Sequence, residues 1–204
     1  MAGPRHPNDG SDALDPERGG ILRGRSPREV LLRIADGDPL EIGSRVDAAL
    51  EEDGLLLAAD RVHLRALAEV AYRACAYGVP ADLGPWLRSR ISESVDGLLA
   101  EDREAERNGD PLEPFGDHFL AMTAAFGVED GLARRASVAF HSLPVQQRKL
   151  VQGIVQNGLS LAEIAAALGR PLGELRSELR AAVESLERAI GTRLAERLGG
   201  GDRG

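Results

Sequence analysis

Apolar residues recur along most of this chain at three- and four-residue steps, the spacing of one face of an α-helix. These steps predict helices over 26–37, 41–54, 55–78 and 85–108. No window alternates apolar and polar residues in the way that predicts a strand. We therefore expect an all-α fold. For the stretch 55–78 the pattern assigns these residues to the apolar face: Leu64, Leu67, Ala68, Ala71 and Cys75.

The most informative pattern is GLSLAEIAAALGRPLGELRSELRAAVESL, residues 158–186. Ser160 and Glu163 have the spacing of a capping box, which predicts a helix start. Ala165 is small where two helices would cross, Gly169 suits a left-handed turn, and Leu175 would point back to lock the second helix. The combination predicts a helix-turn-helix, and the alternative is an ordinary α-hairpin within a bundle. The residues predicted to be buried are Leu161, Ile164, Ala165 and Leu168 in the first helix, and Leu172, Leu175, Leu179, Val183, Leu186 and Ile190 in the second.

Changes in composition divide the chain into two small helical domains. The segment GDPLEPFG, with two glycines and two prolines, indicates a linker between them. The predicted organisation is a disordered tail (1–25), a helical domain (26–108), a linker (109–127), a second helical domain (128–190) and a frayed tail (191–204).

The charge of the chain is unevenly distributed. The whole chain carries a net charge of −8, which argues against non-specific binding of nucleic acid by the molecule as a whole. Residues 140–204 contain nine basic and seven acidic residues, a balance of +2, which leaves −10 for residues 1–139. Any surface that binds DNA should therefore belong to the last third of the chain.

Residues that commonly carry chemistry are few and scattered. The chain has one cysteine and four histidines, none of them at the spacing of metal ligands, and it lacks phosphate-loop and nucleophile motifs. We expect neither a metal, a cofactor nor an enzyme. No stretch approaches the 18 apolar residues of a membrane span, and the N-terminal residues lack the apolar run of a signal peptide. We expect a cytoplasmic protein without a membrane partner.

The last third of the chain resembles a known family. The segment LPVQQRKLVQGIVQNGLSLAEIAAALGRPLGELRSELRAAVESLERAI resembles region four of bacterial RNA polymerase sigma factors, especially the small extracytoplasmic-function group. That family shares the opening Leu-Pro, the Gly-Leu-Ser-x-x-Glu-Ile-Ala run and the following Leu-Gly. The resemblance implies a four-helix domain without a wing that reads promoter DNA in the major groove. Implied partners are the RNA polymerase core and, as a further candidate, an anti-sigma-type protein.

The resemblance also implies which residues meet DNA, because the second helix of the pair enters the groove. One departure is Glu178, which stands where the family usually has a basic residue. An alternative interpretation pairs Glu174 and Glu178 with Arg176 and Arg180 as neighbours on a solvated face. The residues expected at the DNA interface are Arg170, Gly173, Glu174, Arg176, Ser177, Glu178 and Arg180.

The N-terminal half resembles the region-two domain of the same family. Its LLRIADGDPLEIGSRV segment is similar to the opening of that domain, but acidic residues follow where the family has basic ones. The function implied is a sigma-factor-like transcription regulator in transcription initiation. The rival hypothesis is an adaptor or antagonist that keeps the fold and binds proteins without binding DNA.

Overall fold

The computed structural model describes residues 20–77, 83–110, 123–124, 126–191 and 194. These residues form eight α-helices and one 3-10 helix (Ala74–Ala76) and contain no strand, so the all-α prediction is confirmed. The α-helices are α1 (Pro27–Ala35), α2 (Ile42–Glu52), α3 (Ala59–Arg73), α4 (Leu83–Asn108), α5 (Asp130–His141), α6 (Val145–Val155), α7 (Leu161–Leu168) and α8 (Leu172–Ile190).

Helix starts follow the capping signals in the sequence. Helix α1 begins after Ser26, whose amide donates to Glu29 Oε2 at 2.8 Å while the Glu29 amide donates to Ser26 Oγ at 3.4 Å. Helix α3 begins at Ala59, four residues later than the apolar run predicts. Residues 55–58 precede it in a non-helical conformation. A continuous apolar run is compatible with either conformation, and tertiary contacts decide between them.

The apolar face predicted for α3 is wrong in most of its residues. Leu64 is 69% exposed and Ala68 and Cys75 are also exposed. Helices α1, α2 and α4 all pack against α3, and they bury a row of small side chains four residues apart. Small residues permit close approach from several sides, which leucine spacing alone does not reveal. The buried residues of α3 are Val62, Ala66, Val70 and Ala71.

The core of the N-terminal half (residues 20–110) lies between α1, α2, α3 and α4. Leu22 is fully buried in it, although it falls within the stretch predicted as a tail (1–25). Residues 20–24 form a turn that precedes α1 and directs Leu22 inward. Burial of one leucine side chain is worth about 2 kcal/mol, which offsets part of the entropy lost when the turn is ordered. The rest of that predicted tail, residues 1–19, lies outside the described residues.

The core of the C-terminal half (residues 126–194) lies between α5, α6 and α8. Phe126 and Phe140 are buried in it with their ring centroids 5.8 Å apart. Leu194, from the stretch predicted to be frayed, is 4% exposed, and its amide donates to Glu187 Oε1 at 2.6 Å. Most of the predicted linker (109–127), including residues 111–122, lies outside the described residues.

Residues 53–57, between α2 and α3, pack against the C-terminal half of the molecule. We call these five residues the junction segment. Leu55 and Leu57 belong to the N-terminal core, whereas Leu56 between them belongs to the C-terminal core. Residues 55–57 are not helical, and their successive side chains point to different cores, so three consecutive leucines supply both. Gly54, at φ +62°, lets the chain approach α6, because a Cβ there would lie 2.8 Å from the backbone nitrogen of Lys149.

Candidate nucleic-acid interface

Local sequence signals define the pair formed by α7 and α8. The Ser160 amide donates to Glu163 Oε2 at 2.8 Å, and the Glu163 amide donates to Ser160 Oγ at 3.2 Å. The predicted capping box is therefore confirmed. Gly169 adopts φ +62° and ψ +28°, and its amide donates to carbonyl oxygens at the end of α7. The three residues 169–171 separate the two helices, so the turn is as tight as the sequence predicts.

A small apolar cluster fixes the crossing of α7 and α8. Leu175 is 1% exposed and packs with Leu150, Ile164 and Ala165. Leu168, a residue predicted to be buried, is instead 57% exposed, because it occupies the last position of a two-turn helix, beyond the cluster. Ala182 is fully buried and escaped prediction, although it lies seven residues after Leu175, a helical repeat that the sequence already contains. Leu172 is 38% exposed, contrary to prediction, and Leu179 and Val183 are half-buried.

Arg170, in the turn before α8, is held by two glutamates of that helix. Its Nη2 donates to Glu178 Oε1 at 2.6 Å and its Nη1 donates to Glu178 Oε2 at 3.1 Å. A third contact joins Nη2 to Glu174 Oε2 at 3.4 Å. The geometry matches the planar fork of a guanidinium to the two oxygens of a carboxylate. The i,i+4 pairing expected for this surface therefore involves Arg170 rather than Arg176 or Arg180.

The ion pair also changes the electrostatics of the helix start. Hydrogen bonds from Arg170 lower the pKa of the Glu178 carboxyl, and those to Glu178 raise the pKa of Arg170. Both groups are therefore charged across the physiological range, and their charges largely cancel locally. Glu174 and Glu178 would repel a phosphate group bound at this helix start. Their pairing with Arg170 partly neutralises this repulsion.

Four of the seven predicted residues share one exposed face of α8. At 100° per residue, Gly173, Arg176, Ser177 and Arg180 lie within about 60° of a common direction. All four are exposed, and a Cβ on Gly173 would meet no atom within 4 Å. The Ser177 hydroxyl donates to the Gly173 carbonyl at 3.1 Å, which leaves its oxygen lone pairs outward. We call these four residues the α8 face.

The cations of the α8 face have no carboxylate partner in the part of the chain that the structure describes. Neither Arg176 nor Arg180 forms an ion pair there, in contrast to Arg170. They lie one helical turn apart, about 6 Å along the axis. Two guanidinium groups at this separation can bind two successive negative groups or the edge of a base. Glu174 and Glu178 point about 100° and 140° away from the direction of Gly173.

A groove lies beside the pair, between α6, α7 and α8. It has a volume of about 290 Å³, and its apolar lining includes Leu159, Leu168 and Leu175. Glu51 and Lys149 also line it. Such a groove can accept an apolar side chain of a protein partner. The sequence does not reveal it, because its residues come from separate helices and loops.

The residues that the structure describes contain neither a membrane-spanning helix nor a cluster of metal ligands. Among them no helix combines the length and the apolar character that crossing a membrane requires. In the same residues no three histidine, cysteine, aspartate or glutamate side chains are grouped so that they could hold a metal ion. No protein-family model, no curated protein and no solved structure matches this chain.

Proposed function

We propose that this protein is a sigma-factor-like transcription regulator that reads promoter DNA with α7 and α8, acting as a helix-turn-helix, together with the RNA polymerase core. One observation carries the proposal. The α8 face presents Arg176 and Arg180 to solvent, while both nearby glutamates are drawn onto Arg170. A protein of net charge −8 thus retains an unopposed cationic surface on the helix that the sequence resemblance assigns to DNA.

The α8 face has the chemistry that groove recognition requires. An arginine donates two hydrogen bonds to guanine O6 and N7, or binds a phosphate, and the outward lone pairs of the Ser177 hydroxyl can accept from a base amino group. Gly173 lacks a side chain that would keep the first turn of α8 from the sugar-phosphate backbone. The free amides at that helix start favour a phosphate group, in opposition to the charge of Glu174.

With only two unopposed arginines on the α8 face, binding by the isolated chain is expected to be weak. Each phosphate neutralised contributes through release of counterions, so two contacts supply little affinity. RNA polymerase would supply the remainder, through contacts with the N-terminal half and with the groove beside α7. The proposal accordingly includes a cytoplasmic location, no catalytic activity and regulation by an anti-sigma-type protein.

The test compares variants of matched position on α8. Arg176→Ala and Arg180→Ala should weaken binding of promoter fragments by the complex with polymerase, measured by fluorescence anisotropy. Arg188→Ala removes an exposed cation two turns further along the same helix and should behave like the wild type. Equal effects of all three substitutions would contradict recognition through the α8 face and would indicate a general effect of charge.

A second candidate function is an adaptor or antagonist that binds a protein and no DNA. The ion pair between Arg170 and Glu178 favours it, because it removes one of three cations from the surface. A pull-down on RNA polymerase combined with a DNA-binding assay at roughly 50 mM salt, where phosphate contacts are strongest, separates the two functions. An adaptor would retain polymerase or another protein and leave DNA unbound, with and without the partner.

A further inference from the structure

His141, at the end of α5, accepts a hydrogen bond from the junction segment. The backbone amide of Leu56 donates to His141 Nε2 at 3.2 Å. An amide can only donate, so Nε2 carries no proton, and the proton of the neutral ring lies on Nδ1. That nitrogen donates to Ser137 Oγ, which lies 3.2 Å away. The structure therefore specifies both the charge and the tautomer of His141.

Other contacts hold the junction segment against α6. Arg148 Nε donates to the Asp53 carbonyl at 3.0 Å, and the Gln152 side-chain amide donates to the Leu55 carbonyl at 3.3 Å. Arg148 Nη1 donates in addition to the carbonyl oxygens of His141 and Leu143. These donors keep their protons from mildly acidic to neutral pH. Among these contacts of the junction segment, only the one to His141 depends on an acceptor that titrates in this range.

Charged groups from two helices, α4 and α6, lie around the His141 ring. Arg148 of α6 and Arg103 of α4 oppose a positive charge on it. Asp102 of α4 lines a cavity of about 100 Å³ together with His141, Ser137 and Arg103. One Asp102 oxygen, Oδ2, is buried and has no hydrogen-bond partner within the described residues. The other oxygen, Oδ1, accepts from Arg61 Nη1 at 3.3 Å, so Asp102 is the acidic group that lines the cavity beside His141.

We propose that His141 and the junction segment form a proton-operated latch, one of several contacts that hold the two halves of the molecule together. A proton on Nε2 turns the acceptor into a donor, so that two N–H groups face each other and the Leu56 amide loses its partner. The junction segment then loosens from α5 at Leu56, whereas α4 remains packed against α5 and the ion pair between Arg135 and Glu106 persists. This inference does not depend on the proposed binding of DNA.

The direction of the effect follows from linkage. Burial, and secondarily the charges of Arg148 and Arg103, lower the pKa of His141 from its usual 6.5 to about 4. An open latch exposes the ring to water and restores its usual pKa. Protons therefore bind the open form preferentially as the pH falls from 6.5 towards 4. For these two values, the opening equilibrium constant at pH ~5 should be about 30 times that at pH ~7.5.

Hydrogen exchange of the full chain measures this equilibrium at the proposed contact. Exchange of the Leu56 amide, corrected for the intrinsic dependence on pH, should show about 30-fold less protection at pH ~5 than at pH ~7.5. The Val95 amide in the middle of α4 reports on global unfolding and should be much better protected than the Leu56 amide at both pH values. Unchanged protection of Leu56 would overturn the proposal, and so would equal protection of Leu56 and Val95 at each pH, since that indicates exchange through global unfolding.

Two substitutions test the role of the imidazole. His141→Gln offers an amide oxygen as acceptor and cannot be protonated in this range, so Leu56 protection should become independent of pH. His63→Gln, at a half-buried histidine of α3, should retain the wild-type profile. A wild-type pH profile in His141→Gln would overturn the latch. If that variant does not fold, the NMR titration of His141 in the wild type decides. It must follow the same pH profile as Leu56 protection, and separate profiles would contradict the proposal.

Discussion

Arg170 and Glu178 form a two-point ion pair, in which Nη2 and Nη1 donate to the two carboxylate oxygens at 2.6 and 3.1 Å. The pair connects the turn before α8 to its second helical turn. It joins the residue that the sequence suggested as a DNA contact to the glutamate that departs from the sigma-factor pattern. Glu178, where the family has a basic residue, is thus also the reason that Arg170 is not a free cation. The effect of this pairing on surface charge can be tested.

The first prediction concerns the release of Arg170. In Glu178→Gln the carboxylate charge is lost, and Arg170 keeps an ion pair only with Glu174, at the longer distance of 3.4 Å. If α8 contacts DNA, non-specific affinity should increase, and the slope of log K against log salt should steepen by roughly 0.9 for each additional phosphate that the variant neutralises. Anisotropy titrations at several salt concentrations measure both quantities.

A matched substitution controls for net charge in that experiment. Glu184→Gln removes an exposed carboxylate further along α8, where no ion pair is present within the described residues. It should leave the salt slope within error of the wild type. If both variants change the slope equally, release of Arg170 is not the cause.

The second prediction concerns the close approach of the junction segment to α6. In Gly54→Ala the new Cβ would lie 2.8 Å from Lys149 N and 3.1 Å from its Cα, in addition to the strain of a residue at φ +62°. We expect a loss of about 3 kcal/mol in the free energy of unfolding, from strain and overpacking together. Gly109→Ala has φ +67° and meets no atom within 4 Å, so it isolates the conformational part, about 1 kcal/mol. Equal losses in the two variants, measured by urea denaturation, would show that the approach to Lys149 is unimportant.

Features that depend on near neighbours in the sequence were predictable. The capping boxes at Ser26 and Ser160, and the turn at Gly169, rest on hydrogen bonds and backbone angles within a few residues. A serine that caps a helix start and a glycine that adopts the left-handed conformation at a helix end each have a single main structural role. Their positions in the sequence therefore predict where helices begin and end. The four-residue α8 face follows from the same helical geometry.

Features that depend on distant partners were not predictable in the same way. The choice of Ala66 over Leu64 as a core residue depends on three helices that surround α3. Leu56 and His141 are 85 residues apart, and nothing in either local sequence indicates their contact. The pairing of Arg170 with Glu178 could be predicted only in part. Glu178 has a position fixed by helical geometry, but the path of the turn decides which glutamate Arg170 reaches.

The third prediction concerns the capping box of α7. In Ser160→Ala the Glu163 amide loses its acceptor, and the Glu163 carboxylate loses the hydroxyl hydrogen bond that chiefly lowers its pKa. The free energy of unfolding should fall by about 1 kcal/mol. Ser92→Ala, at an exposed position inside α4, should change it by less than about 0.5 kcal/mol. A stability loss at Ser92 as large as that at Ser160 would mean that the cap has no special role.

The last prediction concerns the stability of the whole chain against pH. The pKa of His141 is about 4 in the folded protein and 6.5 without burial, so the unfolded chain binds its proton first. Stability from the neutral imidazole is complete above pH 6.5 and declines as the pH falls towards 4, by about 1.4 kcal/mol per unit. Between pH ~7.5 and pH ~5 the expected loss is on the order of 2 kcal/mol.

Titration of the capping carboxylates does not obscure this window. Their folded pKa values are lowered, so the stability that Glu29 and Glu163 contribute is present above 4.5 and is lost only as the pH falls below it. Urea denaturation of the wild type and of His141→Gln at pH values of about 7.5, 6 and 5 provides the measurement. The wild type should lose stability over this range while the variant changes little, because glutamine has no proton to bind. Parallel curves for the two proteins would mean that His141 is not the group whose burial makes folding sensitive to protons.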